Sequence, residues 1–472
     1  MLLTRRSLLV PALAAGDDVV TKYGLDGYDK EDEGIGGINM FGQIHDKKSG
    51  MMYHESNKED PYLKAEGAAA MEDSDEDEDD ETAIKASDML IATTRCEEDY
   101  FNMEVYVYEE EEVDEEAQSE DTPLPEPGNI FVHHDVMLPD FALSSVWTGA
   151  NPTKPTPEKG NFVAVATAAP MIEIWNLDIL NAMEPTFVLG GAHRETEEEQ
   201  QANRSKKKKE KAAKKSRESG LSGVVFEEGS HRDSVLGLSW NPARHHILAS
   251  CSADKTVKVW DTCTRSCMHT FDHHTDKVQS IEWNPAEPAI LLSGSFDKRA
   301  AVVDVRVAGG AAAFWPLPSD TEKVGWNPHS SHNFFVSTDD GQVLCFDARS
   351  AGSDPVYKFQ AHGKECSAMA INPAVPHMMM TASTDKTLKI WDVADDTPVC
   401  VHTHDKIDAG AIFAASFCPD EPFYVGVAGA KGVLRLWDAL SVKSVRRRFE
   451  GRVPELTSRK GRKLPTEVNE DA

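Results

Sequence analysis

Residues 248–261 read LASCSADKTVKVWD, two short apolar runs around a tight turn, and they end on Trp260-Asp261. The same phase continues at positions 303, 346, 391 and 437, in steps of 43 to 46 residues, and Asp follows each position. Tryptophan stands at 391 and 437, whereas Val303 and Phe346 replace it at the other two. A repeat of about 40 to 45 residues that ends on Trp-Asp indicates the four-stranded blades of a β-propeller.

A second series of large apolar residues runs in parallel with the first. Four of its six members precede Asn-Pro, and the members are Trp147, Trp240, Trp283, Trp326, Ile371 and Phe417. Before these blades, the strand-like runs MLIATT (89–94) and MEVYVY (103–108) predict an atypical blade at residues 88–137. The sequence therefore predicts an all-β, seven-bladed WD-repeat propeller over residues 88–450. The pattern does not show which strand closes the ring.

The N-terminal region differs in composition from the repeats. Residues 17–128 carry 36 acidic and 8 basic side chains, whereas residues 129–472 carry 44 and 39. Residues 72–81 read EDSDEDEDDE. Such a charge density buries too little apolar surface to offset the entropy lost on ordering. We therefore predict a disordered acidic region at residues 1–87, and a second disordered segment, the basic-to-mixed tail, at residues 451–472.

Residues 1–16, MLLTRRSLLVPALAAG, look like a targeting peptide because two arginines precede an apolar run with a small-residue ending. The run is short, however, and Pro11 interrupts it. The eight cysteines form no Cys-x-x-Cys pairs, as expected of thiols in a reducing compartment. No run reaches the roughly 18 apolar residues needed to span a bilayer. We expect a soluble intracellular protein with no membrane partner, in which residues 1–16 are not a true signal peptide.

The step from Trp175 to Trp260 is 85 residues long, nearly two periods, and no blade pattern fills it. It predicts an insertion loop at residues 192–222. The loop contains a basic patch, whose cations are Lys206, Lys207, Lys208, Lys209, Lys211, Lys214, Lys215 and Arg217. Such a patch suits a nuclear import receptor, the phosphates of a nucleic acid, or simple solvation. No aromatic residue accompanies it, so base stacking is not expected there. The basic residues of 443–463 are a second candidate import signal.

Histidine and aspartate recur within the blades at fixed distances from the tryptophan position. The pattern places together His231, Asp254 and Trp260, then His274 and Asp297, then His362, Asp385 and Trp391, and Asp340 keeps the same spacing before Phe346. A buried Asp needs a partner because an isolated charge in apolar surroundings is costly. In Trp-Asp propellers these residues form a structural network that reaches the indole N–H. Catalytic dyads are the alternative, but an active site is not needed once in each blade.

Three adjacent histidine pairs, at 133–134, 245–246 and 273–274, suggest metal binding at first sight. No acidic or thiol set accompanies them at the spacing of zinc ligands, so a role in loops or core is expected. The sequence contains neither Gly-x-Ser-x-Gly nor a phosphate-binding loop. We expect no catalytic residues, no metal and no cofactor. Ser74, within the acidic run DSDEDE, is a candidate site for acidophilic kinases, with a solvated acidic tail as the alternative.

Over residues 22–450 the chain resembles the periodic tryptophan protein 1 family of WD-repeat proteins. The most specific segments are FVHHDVML (131–138) and STDDGQVLCFDAR (337–349), supported by KYGLDGYD (22–29) and IEIWNLDI (172–179). The lysine-rich insertion lies where this family carries one. Two departures are the N-terminal residues 1–16 and the last blade, which has GAKG at 429–432 where other blades have Asp in the turn.

The resemblance implies a non-enzymatic nucleolar factor of ribosome biogenesis, acting in large-subunit precursor assembly, rRNA processing or rRNA transcription. Its expected partners are pre-ribosomal proteins and a nuclear import receptor, with pre-rRNA as a further candidate. The alternative is a chromatin module whose propeller binds a histone tail, with the acidic N-terminal region screening basic histone surfaces.

Overall fold

The computed structural model describes residues 2–5, 89–97, 100–109, 129–180, 182–191, 226–307, 312–395 and 397–452. Within these residues the chain forms seven antiparallel sheets, six with four strands and one with three. Each sheet is one blade, and its strands follow the chain from the inside of the ring outward. The predicted seven-bladed all-β propeller is confirmed.

The first four blades contain strands β1 to β16. Their bounds are Leu2–Arg5, Met89–Cys96, Phe101–Glu109 and Asn129–Met137 in blade 1; Ala142–Ala150, Lys159–Thr167, Met171–Asn176 and Phe187–Gly190 in blade 2; Val235–Trp240, Ile247–Ser252, Val257–Asp261 and Ser266–Phe271 in blade 3; Val278–Trp283, Ile290–Ser295, Arg299–Asp304 and Ala313–Pro316 in blade 4.

The last three blades contain strands β17 to β27. Their bounds are Thr321–Trp326, Asn333–Thr338, Gln342–Asp347 and Tyr357–Gln360 in blade 5; Ala368–Ile371, Met378–Ala382, Leu388–Asp392 and Val399–His404 in blade 6; Ile412–Phe417, Tyr424–Gly429 and Leu434–Asp438 in blade 7. A 3-10 helix (Ala439–Ser441), helix α1 (Lys443–Phe449) and a second 3-10 helix (Glu450–Arg452) follow.

The ring closes through β1. This strand pairs with β2, and it contacts the inner strands of the neighbouring blades, β5 and β25. The sequence analysis began the propeller at residue 88 and assigned residues 2–5 to the disordered region. The structure corrects this prediction, because residues 2–5 form a strand of blade 1. The run Leu2–Arg5 is short and carries no partner motif, so only the contact with β2, 84 positions further along the chain, reveals its place. Apart from residues 2–5, the predicted regions 1–87 and 192–222 lie outside the described residues. Of the predicted disordered tail 451–472, the structure describes Gly451 and Arg452, which belong to the second 3-10 helix, so the prediction is corrected for these two residues.

The hydrophobic core lies between successive blades. One cluster joins Cys251 and Val257 of blade 3 to Val278, Trp283 and Leu291 of blade 4. Equivalent clusters lie between blades 2 and 3, 4 and 5, 5 and 6, 6 and 7, and 7 and 1. The alternation of side chains along each strand sends one set toward the preceding blade and the other toward the following one. Both faces of a blade are therefore buried, which explains why these strands read as continuous apolar runs.

The second tryptophan series ties the inner strands together. Trp283 Nε1 donates to Ser239 O at 3.1 Å, and Trp326 Nε1 donates to Glu282 O at 3.3 Å, each in the preceding blade. The Asn that follows reaches the other way, as in Asn284 Nδ2 to Ser331 O at 2.9 Å. This pair of bonds explains the Trp-Asn-Pro pattern, since it links one blade to both of its neighbours.

Candidate functional site: the blade networks and the C-terminal helix

In blade 3 the predicted residues form one continuous chain of hydrogen bonds. Trp260 Nε1 donates to Ser250 Oγ at 2.8 Å, and the same Oγ lies 2.7 Å from His231 Nε2. His231 Nδ1 lies 3.0 Å from Asp254 Oδ2, and Thr256 Oγ1 donates to the other carboxylate oxygen at 2.6 Å. A neutral imidazole with its proton on Nδ1 satisfies every contact, because Nε2 then accepts from the serine hydroxyl.

The electrostatics of this network agree with a neutral histidine. Burial lowers the pKa of His231, although the hydrogen bond to Asp254 opposes the shift. Burial alone would raise the pKa of Asp254, but the hydrogen bonds from His231 and Thr256 outweigh it and hold the pKa below its ordinary value. At neutral pH the pair is therefore an imidazole that donates to a carboxylate. Both imidazole nitrogens are occupied, which leaves none to act as a base.

Blade 6 repeats the arrangement with a threonine in place of the serine. Trp391 Nε1 donates to Thr381 Oγ1 at 2.9 Å, and His362 Nε2 lies 2.9 Å from the same oxygen. His362 Nδ1 lies 3.2 Å from Asp385 Oδ2, and Thr387 Oγ1 donates to Asp385 Oδ1 at 2.6 Å. Two blades thus have the complete network, from indole to turn aspartate.

Blade 4 keeps the histidine and aspartate but lacks the indole, since Val303 stands in the tryptophan position. His274 Nδ1 lies 3.0 Å from Asp297 Oδ2, and His274 Nε2 lies 2.9 Å from Ser293 Oγ. The preceding His273 places its Nε2 3.2 Å from the same Oγ. The second imidazole therefore takes the place where the indole donates in blades 3 and 6. This contact accounts for one of the histidine pairs that suggested a metal.

Blade 5 does not form the predicted network around Asp340. Leu317 stands where blades 3, 4 and 6 have histidine, 29 residues before the tryptophan position, here Phe346. The Asp340 carboxylate instead accepts from Thr338 Oγ1 at 2.5 Å and from Gln342 Nε2 at 2.9 Å. The structure thus leaves Asp340 in its turn without an imidazole, because spacing from the tryptophan position alone does not fix the residue type at the histidine position.

Blade 7 keeps the spacing of the network but has different residue types at its positions. Asp408 occupies the histidine position and Lys431 the aspartate position, and their side chains form an exposed ion pair. Arg435 Nη2 approaches the same carboxylate at 3.7 Å. Val427 stands where blades 3 and 6 have the hydroxyl that accepts the indole N–H, so Trp437 has no equivalent acceptor. This substitution explains the GAKG turn that departs from the other blades.

Two buried carboxylates were not predicted from the sequence. Glu173 is 1% exposed and accepts from Trp175 Nε1 at 3.0 Å, and burial raises its pKa. Asp392, also almost fully buried, accepts from Arg452 Nη2 at 2.6 Å and from Arg448 Nε. The acidic residue two positions before Trp175 was a signal for the first. The second had no signal, since the two arginines lie 56 and 60 residues further along the chain.

The two arginines anchor helix α1 to blade 6. Val445 and Phe449 bury the apolar face of the helix in the core between blades 6 and 7. Arg446 donates to Leu440 O at 2.8 Å, whereas Arg447 is exposed. The basic run at 443–463, predicted as a candidate import signal, therefore has part of its cations engaged in packing the helix.

The basic patch of residues 206–217 and Ser74 lie outside the described residues. Among the residues that the structure describes, no group of three or more His, Cys, Asp and Glu side chains is arranged to hold a metal ion. The cysteines of this part are free thiols, of which Cys251, Cys345, Cys366 and Cys418 are buried. No helix in the described ranges is long and apolar enough to cross a bilayer.

Comparison with known proteins gives two results. The family model "WD domain, G-beta repeat" matches residues 224–261, 265–304 and 353–392. The matches cover the first three strands of blades 3, 4 and 6, and the second and third also include the outer strand of the preceding blade. An uncharacterized WD repeat-containing protein of Schizosaccharomyces pombe is 38% identical, over 94% of this chain and 78% of its own.

Two further relatives have a family name. Periodic tryptophan protein 1 of Saccharomyces cerevisiae is 32% identical over 94% of this chain and 79% of its own. A Drosophila melanogaster protein, the periodic tryptophan protein 1 homolog, is 32% identical over 76% of this chain and 69% of its own. These matches extend over most of both chains, and they agree with the WD-repeat propeller described above. The chain belongs to the periodic tryptophan protein 1 family of WD-repeat proteins.

Proposed function

We propose that this protein is a non-enzymatic scaffold of ribosome biogenesis, which assembles large-subunit precursors in the nucleolus. The observation that carries the proposal is similarity to periodic tryptophan protein 1 along nearly the whole chain. The resemblance given above assigns such proteins to large-subunit assembly and ribosomal RNA production. A propeller suits this task because its loops and rim offer many docking surfaces on one rigid frame.

The blade networks support a non-enzymatic role. The His–Asp pairs occur in three blades, and in each the imidazole nitrogens face a carboxylate and a hydroxyl of the same blade. A general base needs a free nitrogen within reach of a substrate proton. We therefore assign these pairs to fold stability.

The basic patch of residues 206–217 supports a nuclear site of action. Its lysines belong to the insertion predicted at residues 192–222, and a loop of this kind would give an import receptor or the phosphates of pre-rRNA access to them. We propose that the patch directs import and adds a salt-dependent contact to pre-rRNA. Pre-ribosomal proteins are the main partners in this proposal.

Sedimentation of nuclear extract tests the scaffold function. We expect the full-length protein to sediment with large-subunit precursors and to leave them after RNase treatment. Retention on nuclease-resistant chromatin, without large-subunit precursors in the same immunoprecipitate, would contradict the scaffold proposal and favour binding to histones. Mass spectrometry of the same preparation tests phosphorylation at Ser74, which an unmodified peptide from growing cells would exclude.

Replacement of residues 204–217 by a Gly/Ser linker of equal length tests the import role. We expect loss of nuclear accumulation, with an unchanged circular dichroism spectrum because the patch lies between blades. The control variant replaces Lys364, an exposed lysine outside both candidate import signals, by Ala and should localise normally. Normal localisation of the linker variant would place the import signal elsewhere.

A further inference from the structure

The hairpin loop between β5 and β6 of blade 2 carries a short motif that the blade itself does not require. Residues 151–159 read NPTKPTPEK. Within them, Thr156 is followed directly by Pro157, and Lys159 stands three positions after the threonine. No other serine or threonine of the sequence has both a proline directly after it and a basic residue three positions further on. The combination is therefore a property of this loop alone.

Two hydrogen bonds attach the first half of the loop to blade 3. Pro152 O accepts from Thr262 Oγ1 at 2.6 Å. Lys154 O lies 2.9 Å from His245 Nε2. The loop therefore has a fixed place at the junction of blades 2 and 3, on the side of the propeller where β5 ends.

The threonine side chain is exposed to solvent. Pro155 and Pro157, on either side of Thr156, are exposed as well. None of the three belongs to a strand, because the pairing of β5 with β6 begins at Ala150 and Lys159. A proline keeps the residue before it out of the α region, so the backbone of Thr156 is biased toward an extended conformation. An enzyme can therefore reach the hydroxyl without opening a blade.

The residues after the threonine suit one class of protein kinase. An enzyme groove that offers no acceptor to the residue after the target leaves an N–H there unpaired, whereas proline has no N–H to pair. Proline-directed serine/threonine kinases select their substrates by this difference. Lys159 is exposed at the start of β6, where its cation can pair with an anionic group of the enzyme.

Two other threonines of the sequence precede proline, and they lack the cation. Thr122 has Pro125 three positions further on, and Thr397 has Cys400. Thr122 lies outside the described residues. Thr397 and Cys400 are both exposed, in the hairpin between β23 and β24 of blade 6. This hairpin is therefore a matched site that has the proline and the exposure but not the basic residue.

We propose that Thr156 is a phosphorylation site for a proline-directed serine/threonine kinase. Thr156 Oγ1 attacks the γ-phosphorus of MgATP, and a new P–O bond forms as the bond from that phosphorus to the β,γ-bridging oxygen breaks. ADP leaves, and the hydroxyl proton passes to the catalytic aspartate of the kinase and then to solvent. The modification goes beyond the proposed role in ribosome production, because it requires neither RNA nor a ribosomal protein.

A phosphate on this threonine would reverse the charge of the loop. Lys154 Nζ and Glu158 Oε2 form an exposed ion pair at 2.5 Å, and Lys159 leaves the loop with a net positive charge. A threonine phosphate carries a charge of about −1.5 to −2 at neutral pH, and its oxygens compete with Glu158 for Lys154. The surface where blades 2 and 3 meet thus becomes anionic, while the cores between the blades are unchanged.

Treatment of the full-length protein with a purified cyclin-dependent kinase and MgATP tests the site. We expect fragment mass spectrometry to find phosphate on Thr156, and Thr156→Ala to abolish that product without shifting the unfolding midpoint. Lys159→Ala should lower kcat/KM for Thr156 about tenfold, because it removes a charged contact of the enzyme.

The hairpin of blade 6 supplies the matched control. Thr397→Ala should leave the phosphorylation of Thr156 unchanged. Cys400→Lys should make Thr397 a second site, since it adds the missing cation to an exposed Thr-Pro sequence. In dividing cells we expect the same Thr156 phosphopeptide from the wild-type protein.

Three outcomes would overturn the proposal. Phosphorylation of a peptide of residues 150–163, but not of Thr156 in the full-length protein, would show that the chain itself covers the loop. Modification of wild-type Thr397 as fast as Thr156 would show that the kinase does not use Lys159. Absence of the Thr156 phosphopeptide from dividing cells treated with phosphatase inhibitors would show that the site is not used. None of these outcomes bears on sedimentation with pre-ribosomal particles, so the two proposals fail separately.

Discussion

His273 Nε2 and Ser293 Oγ lie 3.2 Å apart, at the place where a tryptophan indole donates to the serine or threonine of blades 3 and 6. The substitution keeps the hydroxyl paired after Val303 has replaced the indole. It also places a titratable ring where the other blades have a neutral one. Blade 4 therefore acquires a sensitivity to pH that tryptophan does not give.

We predict that His273 makes the protein less stable in mild acid. Burial, together with the adjacent His274, lowers the pKa of His273 to about 4. The unfolded chain, with an ordinary histidine pKa near 6.5, therefore binds more protons than the folded chain between about pH 4 and 6.5. The contribution of neutral His273 to the free energy of unfolding is fully present above pH 6.5 and is lost as pH falls through this window. The total loss amounts to about 3 kcal/mol. Urea unfolding across that window measures the slope.

The variant His273→Gln should reduce this slope by the contribution of His273 and retain a donor toward Ser293. The remaining slope comes from other histidines, such as His231 and His362, whose pKa values burial also lowers. Ser293→Ala is the control, since it deletes the hydroxyl but leaves His273 buried. It should lower stability at every pH and keep the slope. An unchanged slope in His273→Gln would show that other groups cause the acid sensitivity.

The complete and the exchanged networks should differ in their response to loss of the turn residue. Asp254→Ala removes the partner of a buried imidazole, and we expect a loss of about 3 to 5 kcal/mol in the free energy of unfolding. Lys431→Ala, at the equivalent position of blade 7, removes one side of an exposed ion pair. We expect no measurable shift of its unfolding midpoint. Equal losses of unfolding free energy in the two variants, measured by chemical denaturation, would contradict this prediction.

The arginine contacts of Asp392 should hold helix α1 on the propeller. Removing Arg448 and Arg452 together leaves a nearly fully buried carboxylate without its cations, at a cost of about 3 kcal/mol. Burial would then raise the pKa of Asp392, which the arginine hydrogen bonds now hold below its ordinary value. We expect faster trypsin cleavage at residues 446–447 in the double variant.

Asp392→Asn, added to the double arginine variant, should restore part of the stability, because it removes the buried charge. Ser444→Ala, at an exposed position of the same helix, keeps both trypsin sites and should behave as the wild type. A cleavage rate that does not change in the double variant would show that Val445 and Phe449 alone hold the helix.

Gly341 should tolerate no side chain, for two separable reasons. Its φ is +79°, and a Cβ would lie 2.4 Å from the carbonyl oxygens of His362 and Lys364 in the next blade. Gly352 has a similar φ of +72° but open space around it. We expect Gly352→Ala to cost about 1 kcal/mol from the backbone conformation alone. Gly341→Ala should lower the free energy of unfolding clearly more than Gly352→Ala, as measured by denaturant unfolding. Similar losses in the two variants would show that the backbone near His362 and Lys364 moves aside at little cost.

The sequence was sufficient for the blades because their signals are local. The Trp260 phase, the Trp-Asn-Pro series and the turn residues each lie within one repeat, so the number and the order of the strands follow from spacing. The place of β1 and the contacts of Asp392 could not be obtained this way. Both depend on residues that are distant along the chain. Neither residues 2–5 nor the segment with Arg448 and Arg452 has a sequence motif that indicates its partner.

The candidate network was accessible from the sequence only where residue type and position both repeat. Blades 3 and 6 place His, Asp and Trp together as their spacing suggests. At Asp340 the position repeats while the histidine does not, and at Asp408 both residue types change.

The attachment of α1 also has a mechanical consequence. A pulling force applied at Arg452 acts first on Asp392, and so on β23 in the middle of a four-stranded sheet. A strand in that place has neighbours on both sides and resists in shear. The force bypasses β27, which pairs only with β26 among the described residues and would otherwise peel away one hydrogen bond at a time. Tension on the chain that follows Arg452 therefore loads blade 6 before it loads blade 7.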